Sequence, residues 1–190
     1  LMHYDVFNGD ADGICSLVQL RLSNPKNSKL ITGVKRDISL LKKISPVKQD
    51  SVTVLDISMK KNYQEVVDFL ELGVEVFYAD HHQSGDLLTH KNFRSYINES
   101  SSICTSLIIN EYLSGKYQEW AIVGAYGDGM DKSARIIADK ADLSKDNREQ
   151  LRLLGECINY NSYGTSETDL LYHPSLLYKL LKRNYNPFDF

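Results

Sequence analysis

Cysteine is scarce in this sequence. Only three are present, Cys15, Cys104 and Cys157, and no two of them form a CxxC pair. An odd number of widely separated cysteines argues against a disulfide framework and favours reduced thiols in a cytoplasmic protein. The absence of a CxxC pair likewise argues against a structural zinc site. No apolar run approaches the ~20 residues that span a bilayer, so we expect no membrane association.

A strong charge of one sign is also lacking, because the formal net charge is −3 at pH 7. This balance excludes binding to nucleic acid through overall basic charge, although a local basic groove stays compatible with it. The sequence has 42% hydrophobic and 25% charged residues, the balance of a soluble globular protein. A chain of 190 residues fits one domain with a substantial core.

Short apolar runs alternate with amphipathic stretches in the first half of the chain. Strands are predicted at residues 4–8, 29–34, 52–57 and 74–79, and helices at 14–22, 37–44 and 60–72. This alternation predicts βαβ units, and therefore an α/β fold with a parallel sheet flanked by helices. The chain from residue 98 onwards is predicted to be mainly helical, with helices at 103–113, 120–126, 135–141, 147–160 and 175–182.

Acidic and histidine side chains follow three of the predicted strands at the point where each strand ends. They are Asp10, Asp12, Asp56, Asp80, His81 and His82. In open parallel sheets, ligands bind outside the carboxyl ends of the strands. The sequence therefore predicts that three separate segments deliver these side chains to one edge of the sheet.

The carboxylates of Asp10 and Asp12 lie on a turn bounded by Gly9 and Gly13. Two carboxylates held close together repel each other unless a cation lies between them, so a metal site is one interpretation. A helix N-cap aspartate and a turn aspartate are an equally good one. Asp56 ends an apolar strand, and taken alone it fits a helix N-cap better than a ligand.

Asp80-His81-His82 is a more specific signal, because two adjacent histidines after an aspartate are rarely needed for packing. Imidazole is a common metal ligand, and a neighbouring carboxylate often fixes its tautomer. Asp128 lies between Gly127 and Gly129, which permit a close approach of the backbone to a ligand. A glycine cap at a helix end explains Asp128 equally well.

Four motifs together resemble those of the DHH phosphoesterase family in order and spacing. They are Asn8-Gly9-Asp10-Ala11-Asp12-Gly13, Leu55-Asp56, Asp80-His81-His82 and Gly127-Asp128. The resemblance covers about residues 4 to 131. The family includes single-strand-specific exonucleases, oligoribonucleases, cyclic-dinucleotide phosphodiesterases, exopolyphosphatases and manganese pyrophosphatases. The resemblance implies a Rossmann-like α/β domain with two Mn²⁺ ions in a cleft, with Mg²⁺ as the alternative ion.

The resemblance also implies roles for individual residues. The implied metal ligands are Asp10, Asp12, Asp56, His81 and Asp128, with Asp56 bridging the two ions. His82 is implied to contact the scissile phosphate, and Asp80 to support His81 from behind. A donor set rich in oxygen with one imidazole suits Mn²⁺.

This sequence departs from the family pattern in two places. Val6 stands where many members carry a histidine, and Asn8 is the candidate replacement as a metal or substrate contact. The glycine-rich, basic motif of the usual C-terminal substrate-binding domain is not found. We therefore predict a catalytic domain at 2–143, and at 144–190 a helical extension or linker towards that domain.

The predicted function is a manganese-dependent phosphoesterase that uses metal-activated water. Its predicted substrate is a phosphodiester or phosphomonoester in a nucleotide or a short single-stranded oligonucleotide. A manganese pyrophosphatase or exopolyphosphatase is the alternative within the same class. A catalytically silent metal- or nucleotide-binding regulatory module is the alternative outside it, kept open by Val6. Whether the protein forms a homodimer is left open.

Two further groups of residues are weaker candidates. Lys132 and Arg135 follow the fourth motif and are candidate substrate-binding residues. The tyrosines of the C-terminal region are predicted chiefly to pack between helices, with stacking on bases as the alternative. These are Tyr160, Tyr163, Tyr172, Tyr178 and Tyr185.

Overall fold

A five-stranded sheet organises the structure, a computed structural model that describes residues 1–190. The strands are β1 (His3–Phe7), β2 (Lys29–Ile31), β3 (Ser51–Leu55), β4 (Glu75–Asp80) and β5 (Phe93–Ile97). All neighbouring strands pair in parallel, in the order β2-β1-β3-β4-β5. The predicted α/β fold with a parallel sheet is therefore confirmed.

Seven helices accompany the sheet. They are α1 (Ala11–Ser23), α2 (Met59–Glu71), α3 (Thr105–Tyr112), α4 (Gln118–Gly127), α5 (Asp131–Lys140), α6 (Lys145–Asn161) and α7 (Pro174–Leu181). No helix has both the length and the apolar character that a membrane crossing requires.

The core consists of two apolar layers, one on each face of the sheet. Alternate strand residues point to opposite faces, so Phe7 and Leu55 enter one layer while Val6 and Val54 enter the other. The first layer includes residues of α1, α3, α4, α5, α6 and α7, and the second includes residues of α2. Burial on both faces explains why these strands are mostly apolar in sequence, with Asp5 and Thr53 as buried polar exceptions.

The strand order creates a switch point between β1 and β3. The chain moves outward from β1 to β2 on one side, and then returns to β3 on the other side of β1. In open sheets of this kind, the crevice at the carboxyl ends of the two strands is where ligands bind. The turn after β1 and the residue after β3 are the segments that carry Asp10, Asp12 and Asp56.

Three secondary-structure predictions differ from the structure. Strand β5 was not predicted, because its central residues Arg94, Ser95 and Tyr96 are exposed at the sheet edge and lack an apolar pattern. The helix predicted at 37–44 is only a 3₁₀ turn at Leu40–Lys43. The second strand ends at Ile31 rather than at residue 34.

The segment 144–190 packs against the rest of the chain. Leu151 and Ile158 of α6 and Tyr178 of α7 belong to the same apolar layer as Phe7. Helix α6 approaches α4 closely, since a Cβ on Gly155 would lie 2.3 Å from the carbonyl oxygen of Val123. The residues of 144–190 thus share a core with the predicted catalytic domain, and the boundary after residue 143 stays a prediction.

The tyrosines of this segment differ in burial. Tyr178 is buried and packs against Phe7, as predicted. The prediction of helix packing is wrong for Tyr160, Tyr163 and Tyr172, which are exposed. Tyr185 is also exposed, but its ring contacts that of Tyr117, with 6.1 Å between the centroids.

Candidate metal centre

Four segments bring acidic and histidine side chains together at the carboxyl edge of the sheet. Asp10 and Asp12 lie at the start of α1, after β1. Asp56 follows β3, His81 follows β4, and Asp128 ends α4. The structure therefore places the predicted side chains at one site.

The His81 imidazole lies at the centre of this site. Its Nε2 atom is 3.3 Å from Asp56 Oδ1, 3.6 Å from Asp12 Oδ2 and 3.8 Å from Asp128 Oδ2. Two overlapping sets of side chains are close enough to hold an ion, Asp56 with His81 and His82, and Asp12 with His81 and Asp128. His81 belongs to both sets.

Asp12 is held by the start of α3. The backbone N–H groups of Thr105 and Ser106 donate hydrogen bonds of 2.9 and 2.6 Å to its two carboxylate oxygens. The first N–H groups of a helix have no partner within the helix, and a carboxylate satisfies them well. These bonds fix the orientation of Asp12 and leave lone pairs of both oxygens free for a ligand.

Asp56 is the most constrained member of the cluster. Its backbone has a φ of 62°, a left-handed conformation that non-glycine residues adopt rarely and often at functional sites. Its carboxylate accepts a hydrogen bond of 2.9 Å from the Thr105 hydroxyl. Burial, followed by the charges of Asp12 and Asp10, raises the pKa of Asp56 well above its usual value.

Asp80 supports His82 rather than His81. Its Oδ1 atom lies 2.7 Å from His82 Nδ1, and no hydrogen bond or ion pair links its side chain to that of His81. The prediction that Asp80 orients His81 therefore differs from the structure, because side chains alternate in direction as β4 ends and Asp80 faces the residue two positions on. The hydrogen bond to Asp80 raises the pKa of His82, against the opposing effect of burial.

Lys35 is part of the site, and the sequence reasoning missed it. Its Nζ donates hydrogen bonds to Asp10 Oδ2 at 2.7 Å and to Asn159 Oδ1 at 3.0 Å, and lies 3.8 Å from Asp128 Oδ1. Burial by itself lowers the pKa of Lys35, but the charge of Asp10 raises it above its usual value. Its position shortly after β2, at the same sheet edge as the acidic motifs, was the signal available.

Asp10 combines two roles at the start of α1. Its Oδ1 accepts a hydrogen bond of 3.0 Å from the backbone of Gly13, so it is the N-cap of the helix. Its other oxygen pairs with Lys35. Of the five predicted ligands, Asp10 is the one that belongs to neither set of converging side chains.

Asp128 joins the site from the end of α4. Burial, together with the charges of Asp12 and Asp10, raises the pKa of Asp128 to about 7, although Lys35 opposes this shift. His82 opposes the shift as well, so the carboxylates of the cluster outnumber the two cationic groups beside them, Lys35 and His82.

Asn8, directly after β1, lies next to the site, whereas Val6 within β1 does not contribute to it. The Asn8 side chain accepts a hydrogen bond from the Asp10 backbone and donates one to the Lys35 carbonyl, so it shapes the turn. Val6 is fully buried in the apolar layer and offers no donor atom. Lys132 and Arg135 lie exposed on α5, and no hydrogen bond or ion pair connects them to the cluster.

The residues present fit a divalent cation. Asp10, Asp12 and Asp56 are all at least 95% buried, and the pKa values of Asp56 and Asp128 are raised by burial and mutual repulsion. A cation between them would relieve that repulsion, and carboxylate oxygens with imidazole nitrogen form a donor set that suits Mn²⁺.

A family model decides the assignment. The model of the DHH family N-terminal domain matches residues 3–139. The chain belongs to the DHH family. The predicted family membership is therefore confirmed, and the matched region contains the four motifs. No curated protein matches the chain.

Three solved structures are similar to this DHH-family chain. A crystal structure of exonuclease RecJ bound to manganese matches 85% of this chain and 49% of its own, at 19% identity and a TM-score of 0.51. An uncharacterized protein from Helicobacter pylori matches 96% of this chain and 61% of its own, at 14% identity and a TM-score of 0.47. RecJ from Thermus thermophilus, in complex with Mn²⁺, matches 96% of this chain and 34% of its own, at 16% identity and a TM-score of 0.47. The chain spans less than two thirds of the length of each of these three proteins.

Proposed function

We propose that this chain carries the catalytic site of a metal-dependent phosphoesterase. The proposed reaction is hydrolysis of a phosphodiester or phosphomonoester in a nucleotide or short single-stranded oligonucleotide. The proposed cofactor is Mn²⁺, bound as two ions, with Mg²⁺ as the alternative. Because the three cysteines are free thiols, we also propose a cytoplasmic location.

The observation that carries this proposal is the convergence at His81 Nε2. Carboxylates from three separate segments, Asp12, Asp56 and Asp128, all lie within 3.8 Å of that atom. Burying so many acidic groups together is costly unless cations compensate them. Ion binding best explains why these acidic groups are buried together at one edge of the sheet.

The proposed ligands are Asp10, Asp12, Asp56, His81 and Asp128. Two divalent ions held about 3.5–4 Å apart activate water as a nucleophile and stabilise the phosphoryl oxygens. Asp56, which accepts a hydrogen bond from Thr105 and lies 3.3 Å from the shared His81, is assigned as the bridging ligand. In this assignment the Asp10 carboxylate, which now pairs with Lys35, would turn towards the ion when it binds.

His82 is assigned to contact the scissile phosphate. Its side chain is 46% exposed, so it is accessible to substrate while Asp80 holds its Nδ1 atom. The raised pKa of His82 favours the protonated imidazole, which can donate a hydrogen bond to a phosphoryl oxygen. Lys35 supplies a second positive charge beside the acidic cluster.

The choice of metal and substrate class is supported by the family. The manganese-bound exonuclease RecJ shares the fold of this chain, and that protein motivates Mn²⁺ and nucleic acid as first choices. We retain Lys132 and Arg135 as candidates for contacts to a longer substrate, because both are exposed and free of ion pairs.

The test measures metal binding and turnover separately. Manganese uptake is measured by calorimetry, and turnover by release of nitrophenol from a nitrophenyl nucleotide ester. Asp56→Ala is expected to abolish turnover and weaken metal binding strongly. Asp68→Ala, an exposed aspartate on α2, is the matched control and is expected to behave as wild type.

The outcomes distinguish the alternatives. Absence of manganese uptake at millimolar Mn²⁺ would sink the catalytic proposal. Uptake without turnover of any phosphoester would support a metal-binding regulatory module instead. Preferential hydrolysis of pyrophosphate or tripolyphosphate over the nucleotide ester would support the pyrophosphatase or exopolyphosphatase alternative.

A further inference from the structure

Tyr163 lies beside the candidate metal centre, although it belongs to the C-terminal segment outside the matched family domain. It follows α6 directly, after Ser162 at the helix end. The Lys35 Nζ atom lies over its ring, 5.9 Å from the centroid. The same ammonium group contacts Asp10 and lies 3.8 Å from Asp128, so the ring is close to the acidic cluster.

The backbone around Tyr163 is fixed from both sides. The carbonyl of the buried Ser162 accepts a hydrogen bond of 2.9 Å from the backbone N–H of Lys35. The carbonyl of Thr165 accepts one of 3.3 Å from the Arg36 guanidinium. The loop that carries Tyr163 is therefore attached to the loop that carries Lys35, and the position of the ring relative to the site is set.

Structural packing does not account for the ring. Tyr163 is 61% exposed, and its hydroxyl forms no hydrogen bond within the chain. By contrast, the hydroxyls of Tyr78 and Tyr117 donate to the carbonyls of Ile57 and Leu22. Exposed aromatic rings beside a cationic group are the features that proteins use to stack nucleobases.

We propose that Tyr163 stacks on the base of the nucleotide whose phosphate enters the metal centre. One face of the ring is taken by Lys35, and the exposed remainder is available to a base. The proposal rests on the proposed function and narrows it, because it makes a nucleoside the preferred substituent of the phosphate. Pyrophosphate and polyphosphate carry no base, so Tyr163 would contribute nothing to binding them.

The test compares two probes that differ only by the base. Adenosine monophosphate and ribose 5-phosphate are titrated into the 190-residue chain in the presence of Mn²⁺, and binding is followed by calorimetry. Tyr163→Leu removes the ring, and Tyr163→Phe keeps it without the hydroxyl. Tyr160→Leu is the control, since Tyr160 is an exposed tyrosine on α6 that makes no contact with Lys35.

The expected result is a loss confined to the base. Tyr163→Leu should weaken binding of adenosine monophosphate about tenfold and leave ribose 5-phosphate binding unchanged, while Tyr163→Phe and Tyr160→Leu bind both as wild type does. Equal affinity of the wild type for the two probes would overturn the proposal, as would failure to bind either. An equal loss for both probes in Tyr163→Leu would overturn it too, because the ring would then act only through Lys35.

Turnover is not needed for this test, so the two proposals can fail separately. A wild-type chain that prefers adenosine monophosphate in a Tyr163-dependent manner, but hydrolyses no phosphoester, would support the stacking role and contradict the catalytic one. A chain that hydrolyses the nucleotide ester without any Tyr163-dependent preference would do the reverse.

Discussion

The hydroxyl of Thr105 donates a hydrogen bond of 2.9 Å to the carboxylate of Asp56. The two residues are far apart in sequence and meet because α3 begins at the carboxyl edge of the sheet. The backbone of the same threonine also holds Asp12. The first turn of α3 thus orients two of the proposed ligands without itself supplying one.

Replacing Thr105 by valine should weaken metal binding while leaving every proposed ligand in place. Groups that orient metal ligands typically contribute about 10–100-fold to affinity, so we expect a loss of about tenfold or more in Mn²⁺ affinity. The measurement is calorimetric titration with Mn²⁺. Thr105→Ser keeps the hydroxyl and should retain most of the affinity. Identical Mn²⁺ affinities for valine and serine variants would contradict the role given to this hydrogen bond.

Replacing Asp80 by asparagine should affect turnover more than metal binding. Asp80 holds His82 at 2.7 Å, and its second oxygen is buried without a hydrogen-bond partner. Loss of its charge would free His82 and favour the neutral imidazole, which we expect to lower kcat by at least about a hundredfold. Steady-state kinetics with a nitrophenyl nucleotide ester and parallel Mn²⁺ titrations test this. A fall in metal affinity with unchanged kcat would place Asp80 with the ligands instead.

A second buried charge network lies in the body of the sheet, away from the metal centre. Arg21 donates hydrogen bonds of 2.9 and 2.5 Å to the two oxygens of Asp5, and Ser28 donates another of 2.6 Å. Burial by itself raises the pKa of Asp5, but the bonds from Arg21 and His3 lower it well below its usual value. The folded state therefore binds a proton at Asp5 less readily than the unfolded state does.

Stability should consequently fall at acidic pH through Asp5. Its contribution is fully present above the unfolded pKa of about 4, and is lost as the pH falls through the lower folded pKa. Asp5→Asn should lower the free energy of unfolding by about 3–5 kcal/mol at neutral pH, because Arg21 is left buried without a counter-charge. It should also make the free energy of unfolding less dependent on pH in the acidic range. Urea unfolding as a function of pH measures both effects. Asp139→Asn, which removes an exposed partner of Arg148, is the control and should change little.

Whether a strand or a site residue could be predicted from the sequence depends on how its burial shapes the local sequence pattern. Strands β1, β3 and β4 were predictable because burial on both faces favours short runs of mostly apolar, β-branched residues such as Val52 to Leu55. Strand β5 is an exposed edge strand, and its sequence carries no such run. Three of the four site motifs were predictable because they follow buried strands directly, whereas Gly127-Asp128 ends α4.

Contacts between distant segments were not predictable in the same way. The pairing of Asp80 with His82 depends on side-chain direction at the end of β4, which the triplet alone does not specify. Lys35, Thr105 and Asn159 reach the site through tertiary packing, and a single lysine, threonine or asparagine has many ordinary roles. Only the geometry assigns them to the site.

The close crossing of α4 and α6 gives the last prediction. A Cβ on Gly155 would lie 2.3 Å from the Val123 carbonyl oxygen and 2.9 Å from the Gly127 backbone nitrogen, so the two helix backbones leave no room for a side chain. Gly155→Ala should force the helices apart and lower the free energy of unfolding by about 1–3 kcal/mol, despite the higher helix propensity of alanine. Leu153→Ala, at an exposed position of α6, should change stability by less than about 0.5 kcal/mol.

Because α6 carries Asn159, a shift of this helix should also reach the metal centre. Asn159 accepts a hydrogen bond of 3.0 Å from Lys35, and Lys35 in turn pairs with Asp10. We therefore expect Gly155→Ala to weaken binding of adenosine monophosphate in the presence of Mn²⁺, at a temperature where the variant is still folded. Thermal unfolding and calorimetry on the same preparations separate the two effects. Only a displacement of the helices can relieve a clash with backbone atoms. A variant as stable as wild type would therefore contradict the prediction, because it would show that this displacement costs nothing.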